Sequence, residues 1–321
     1  MAAARKAGLD FLVFTPHDAD GSFASPAGPD APAVTGQDLV ARLAAGENAA
    51  AANPLLVVSG WEFTRESPGH LGFSFFRMAD VAAAAPEEKA RAALAKEALV
   101  VVNHPFFRPV KSDLPVMQLV SGDRRWRPFF GEGKDDLQWN GIEVWHERSV
   151  LVQKLNANLA AKFPDTQMVT DALKAWDAAT REQRRRIVAV GGSDCHGKLP
   201  YAIAPIAVVS VRVETPDEEG LRRGLLAAHV TFGRDGGPAA RDFSASSDVE
   251  GAAASVGDSL AAKAEVRLAW GGKAALVEDG EKIGEFDGGA VRKLQPPGSF
   301  HAWRIEKAGD AYSNCIYANL K

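Results

Sequence analysis

Six short runs of Val, Ile, Leu and Phe punctuate the first two thirds of the chain: Leu9–Thr15, Leu55–Ser59, Leu99–Asn103, Gly141–Trp145, Ile187–Gly191 and Ile206–Val211. They are apolar throughout rather than alternating, which is the pattern of strands covered on both faces, as in a parallel sheet. Helix-forming stretches lie between and after them, among them Pro86–Ala98, Leu151–Lys162, Asp171–Arg186 and Pro216–Ala228. Strand then helix, repeated, is the order of an α/β fold. The last of these helices has a marked start, with Thr215 placed to cap, Pro216 at the first helical position and Glu218 able to reach back.

After about Gly237 the pattern changes to short alternating segments, Ala264–Trp270, Ala274–Val277, Lys282–Phe286 and Phe300–Glu306, with Asp279-Gly280 in a hairpin-turn position. Residues 1–237 therefore read as the large unit and 238–321 as a small antiparallel β domain. A chain of 321 residues, 46% hydrophobic, suffices for one large core and one small one.

The formal net charge is −4, so no overall positive field invites nucleic acid. The densest basic run, Arg181 to Arg186, falls in helix-forming sequence and reads as a solvated helix face. Two cysteines, Cys195 and Cys315, lie far apart and in no Cys-x-x-Cys spacing, so any metal must be held by His, Asp and Glu. No apolar run reaches the length of a membrane span, and the opening residues lack a signal-peptide core, which makes the cytoplasm the default compartment, with an upstream leader left open.

In an α/β barrel the chemistry sits just past the carboxyl ends of the strands. There the sequence places His17 and Asp18, then Glu62, then His104, then Glu143 followed by His146, and finally Asp194 and His196. Any one of these alone reads as a hydrogen-bonded structural residue. Their recurrence at five successive strand ends reads as a metal site. Imidazoles and carboxylates without a thiolate suit Zn²⁺, Mn²⁺ or Fe²⁺, and a carboxylate such as Glu62 can bridge two ions, which points to hydrolysis rather than redox chemistry. Arg108 and Lys198, each near one of these segments, are candidates to clamp an anionic substrate. Trp61 and Trp145 flank carboxylates and read equally as pocket wall or core, and Cys195 as packing. His229 and His301 read as structural.

Four segments together resemble the polymerase-and-histidinol-phosphatase (PHP) family. Thr15-Pro16-His17-Asp18, closing the strand from Gly8, looks like its second motif; Gly60-Trp61-Glu62-Phe63-Thr64 resembles its Glu motif, Asn103-His104-Pro105 its His-Pro motif, and Gly192-Ser193-Asp194-Cys195-His196 its closing Gly-Ser-Asp-x-His. The segments Trp303–Glu306 and Tyr312–Tyr317 resemble the tail of the carbaryl-hydrolase-like branch. The resemblance implies a distorted (β/α)7 TIM-like barrel, up to three divalent metal ions, and hydrolysis of phosphate esters or, in some members, of carbamate and aryl esters. It implies His17, Glu62, His104, Asp194 and His196 as metal ligands, with Glu143 and His70 as weaker matches, and a small-molecule, anionic ester as substrate.

Two departures accompany it. Pro16 stands where the family has Asp, and no histidine precedes His17, whereas the family opens with His-x-His. The expectation is that the first strand lies upstream of Met1, leaving unpaired sheet neighbours that favour association into an oligomer. A catalytically incomplete barrel acting as a binding module is the competing reading. An amidohydrolase-type barrel ranks last, for want of a Lys at a central strand end.

Overall fold

A computed structural model describes residues 2–15, 41, 44–45, 54–64, 70–77, 86–105, 139–146, 165–193, 208–308 and 311–320. The expected helix Leu151–Lys162 lies outside these residues, as do His17, Arg108, Asp194, His196 and Lys198.

The apolar runs are strands, as expected. β1 (Phe11–Phe14) and β2 (Leu56–Ser59) pair in parallel. β3 (Trp61–Thr64), β4 (His70–Ser74), β5 (Leu99–Val102), β6 (Gly141–His146) and β7 (Val188–Gly192) form a five-stranded sheet in that order. Within it β3/β4 and β4/β5 are antiparallel, whereas β5/β6 and β6/β7 are parallel. The described helices are α1 (Ala2–Lys6), α2 (Pro86–Ala95), α3 (Asp165–Gln183) and α4 (Glu218–Leu226).

This corrects the expected (β/α)7 TIM-like barrel: sheet dominates, much of it antiparallel, and helices are few among the described residues. The physical reason lies between β3 and β4. Only residues 65–69 separate them, and a parallel crossover needs about a dozen residues, so the chain must fold back as a hairpin. That hairpin lays β3 and β4 antiparallel at one side of the sheet, where a barrel requires consecutive parallel strands.

Burial explains why the strands are apolar throughout. Along β5, Val100 and Val102 belong to a core cluster with Trp61, Phe73, Trp145 and Trp176, while Leu99 and Val101 belong to a second cluster with Val188, Leu221 and Leu225. Successive side chains point to opposite faces, so a strand covered on both sides has no polar face to offer. α4 contributes Leu221 and Leu225 to the second cluster. Its cap is Asp217, whose Oδ1 accepts from Gly220 N at 2.7 Å, and Thr215, expected to cap, instead donates its hydroxyl to Asp217.

The remaining strands form a ten-stranded sheet: β8 (Val209–Val211), β9 (Val230–Gly233), β10 (Ser244–Ser247), β11 (Ala253–Ser255), β12 (Ser259–Leu260), β13 (Glu265–Glu278), β14 (Glu281–Lys293), β15 (His301–Lys307), β16 (Ala311–Ser313) and β17 (Ile316–Ala318). β13 and β14 make one long hairpin turning at Asp279-Gly280, both with positive φ, the two-residue loop that matches strand twist. β9 pairs with β16, so strands from before and after Gly237 share this sheet. Phe232, Ala302, Cys315 and Tyr317 join the cluster that contains Trp61 and Trp145.

Between the sheets, Asn314 is fully buried. Among the described residues β7 is the last strand of its sheet, and Asn314 meets it as a neighbouring strand would. Its Oδ1 accepts from Ala189 N at 2.8 Å, while its Nδ2 donates to Ala189 O at 2.8 Å and to Val230 O at 3.0 Å. Edge groups that would otherwise be stranded away from water are thereby paired.

Candidate metal centre

The β3–β4 hairpin is fixed by a stack of Trp61 on Phe73, with ring centroids 4.3 Å apart and planes 5° from parallel. Its register sets Glu62 opposite Gly72 and Thr64 opposite His70. His70 is therefore the diagonal neighbour of Glu62 on the same face, within reach of a long side chain. The contact is made: His70 Nδ1 lies 2.7 Å from Glu62 Oε1. Gly72 leaves room on this face, since a Cβ there would stand 2.8 Å from Asn103 Oδ1.

His104 follows β5 with a φ of 30°, a backbone region that non-glycine residues rarely occupy and that recurs at functional sites. Its Nε2 stands 3.6 Å from Glu62 Oε1, and its ring is edge-on to His70 with centroids 4.8 Å apart. Its main-chain N–H donates to Glu143 Oε2 at 2.6 Å, which holds the turn. Two imidazole nitrogens and one carboxylate oxygen, all within 4.8 Å of one another, thus converge from three different strand segments.

β6 supplies the far wall. Between Glu143 and Trp145 its register against β7 shifts, the mark of a β-bulge. A bulge resets the alternation of faces, and His146, three residues after Glu143, has its ring 5.3 Å from that of His104. Gly192 sits opposite His146, and a Cβ there would lie 2.1 Å from Glu143 Oε1, so only glycine leaves the Glu143 carboxylate its place. Trp61 and Trp145 are buried in the core rather than forming a pocket wall.

Burial would raise the affinity of the Glu62 carboxyl for its proton, but hydrogen bonding and charge from His104 and His70 outweigh it and hold the group well below the usual carboxylate range. An ionised carboxylate flanked by two imidazoles is a donor set that fits a divalent cation of the zinc, manganese or iron type.

Comparison with known proteins adds little. No protein-family profile matches the chain, and no curated protein matches it. A crystal structure of a two-domain protein containing a predicted PHP-like metal-dependent phosphoesterase, from Bacteroides vulgatus, is similar at a TM-score of 0.44 and 13% identity, covering 97% of this chain and 88% of that one. A likeness this distant decides neither fold nor function, which rest here on the residues themselves.

Of the residues expected at the site, the structure brings together Glu62, His70, His104 and Glu143. His17, Asp194 and His196, together with the candidate clamps Arg108 and Lys198, lie outside the described residues. β7, which precedes Asp194 and His196 in the chain, ends at Gly192 beside Glu143. Sequence reasoning missed the hairpin that makes His70 a neighbour of Glu62; the spacing of His70, Gly72 and Ser74 around Leu71 and Phe73 was the available signal.

A second group of donor atoms, Glu278, Asp279 and His301, also lies within 4.8 Å. Here the carboxylates are already engaged. Glu278 accepts from Arg292 and from Trp303 Nε1, and Asp279 accepts from Ala302 N and lies 2.6 Å from His301 Nδ1.

Proposed function

We propose that this chain is a metal-dependent hydrolase of small esters, with phosphate esters as the favoured class. The observation that carries the reading is the convergence of Glu62, His70 and His104 on one another at the end of a sheet. The four motif resemblances support phosphate esters ahead of carbamate and aryl esters. The same reading assigns residues 1–237 to the hydrolase and completes the ligand set with His17, Asp194 and His196.

Glu62, His70 and His104 would hold a divalent cation, which when bound supplies Lewis acidity toward water and the ester oxygen. The chain's own residues then have separable tasks. Glu62 stays ionised well below the usual carboxylate range because two imidazoles face it, and so offers a negative oxygen. Glu143 holds the main chain of His104 and thereby aims its ring. Arg108 and Lys198 would orient an anionic substrate.

The test is metal content by elemental analysis after loading with Mn²⁺ or Zn²⁺ and desalting, on the wild type, Glu62→Ala and His104→Ala. It is paired with hydrolysis of p-nitrophenyl phosphate, an aryl acetate and an aryl carbamate. Retained metal that both variants lose, with metal-dependent phosphate release, is the expected result. A wild type that retains no metal overturns the reading, and one that retains metal yet hydrolyses none of the three is a binding module.

A further inference from the structure

Far from Glu62 in sequence, three side chains of the ten-stranded sheet stand in a line. Asp279 occupies the turn between β13 and β14, His301 opens β15, and Ser299 lies two residues before it. His301 Nδ1 is 2.6 Å from Asp279 Oδ2, and His301 Nε2 is 2.9 Å from Ser299 Oγ. The order is carboxylate, imidazole, hydroxyl, with the two ring nitrogens divided between the partners.

Each member is itself held. Asp279 Oδ1 accepts from Ala302 N at 2.8 Å, and Asp279 N donates to Ala302 O at 2.9 Å, which clamps the turn to β15. The His301 ring stacks on Trp303, with centroids 5.6 Å apart and planes 15° from parallel. Glu278 also faces the ring, 3.4 Å from Nδ1, with its charge matched by Arg292. The contact with the Asp279 carboxylate favours the tautomer that carries the ring proton on Nδ1. The lone pair of Nε2 is then directed at the serine hydroxyl.

We infer that Ser299 is an activated nucleophile, with His301 as its general base and Asp279 as the group that orients the base. Ser299 is half-buried and preceded by exposed Pro296, Pro297 and Gly298, so a small reagent can reach it. In the step, Ser299 Oγ attacks the carbonyl carbon of an ester, and its proton passes to His301 Nε2. The adduct collapses with loss of the alkoxide or phenoxide, which takes up that proton, and water then releases the acid from the serine by the same route.

The reactive class follows from what surrounds the hydroxyl. Gly298 N already donates to Lys263 O, and Ser299 N to Pro296 O. Neither amide is free to stabilise a developing oxyanion, a contribution worth about 100-fold or more in rate. Reaction is therefore confined to compounds with a good leaving group: aryl esters and phosphonyl fluorides. It needs no metal and stands apart from the function proposed above.

The experiment is labelling of the intact chain with a fluorophosphonate in the presence of EDTA, read by mass spectrometry of the whole protein and its peptides. Displacement of fluoride by Ser299 Oγ should leave one phosphonyl group on Ser299, in Glu62→Ala as in wild type. Ser299→Ala should take up none, and His301→Gln and Asp279→Asn should label at least tenfold more slowly while keeping the wild-type circular dichroism. A folded wild type that is unlabelled, a label on another residue, or His301→Gln labelling at the wild-type rate overturns the proposal.

Discussion

Arg304 and Asp177 are joined by two parallel hydrogen bonds, from Nε to Oδ1 and from a terminal nitrogen to Oδ2, both 2.9 Å long, with both side chains buried. The pair ties β15 to α3. Arg304 also donates to Glu306 at 2.6 Å and lies over the Trp176 ring at 5.6 Å, and the negative Asp177 and Glu306 raise its affinity for its proton against the cost of burial. Bidentate geometry is the strong form of such a contact.

Removing one partner strands the other charge away from water, which costs about 3–5 kcal/mol. Arg304→Met should lower the urea midpoint accordingly. Arg304→Met combined with Asp177→Leu should recover part of the loss, because no buried charge then remains; a double variant as unstable as the sum of the singles would mean that the two sites act independently.

Asp258 sets an acid limit. Burial works to raise its pKa, but hydrogen bonds from Ser255 N, from Arg212 and from the Ser255 hydroxyl outweigh it and bring the group to about 2 from an ordinary 3.8. A depressed carboxyl stabilises the fold above its unfolded value, and the contribution fades as pH falls from about 4 toward 2. Because the side chain is 33% exposed, solvent screening leaves only about 1 kcal/mol. Thermal midpoints of wild type and Asp258→Asn should differ at pH 6 and converge near pH 2.

Gly192→Ala tests the support of the metal centre through Glu143, the weaker candidate ligand whose carboxylate holds the His104 main chain. The new methyl would meet Glu143 Oε1 at 2.1 Å, and displacing that carboxylate releases the His104 main chain. Metal retention after desalting should fall at least tenfold, while overpacking costs about 1–3 kcal/mol of stability. Unchanged metal retention would show that Glu143 does not position His104.

The parallel part of the fold was legible because β5, β6 and β7 are largely apolar, and burial on both faces is what such runs encode. The hairpin was not. Trp61 follows β2 after a single glycine, so Glu62 reads as the end of one strand when it is the second residue of another. The same economy hid the length of β13 and β14: Gly271, Gly272 and Gly284 suggest breaks in sequence, and the structure absorbs them in register shifts. At the site, residue type sufficed to single out Glu62 and His104, since a buried carboxylate and imidazole need partners. What it could not supply was proximity, because His70 reaches Glu62 through strand register alone.

The amide of Asn314 has a consequence for the order in which the molecule can be assembled. Ala189 waits for a partner 125 positions later in the chain, so this contact can form only after Asn314 has left the ribosome. Long-range closures of this kind slow folding. The outer side of β7, whose last residue lies beside Glu143, is therefore fixed later than its pairing with β6.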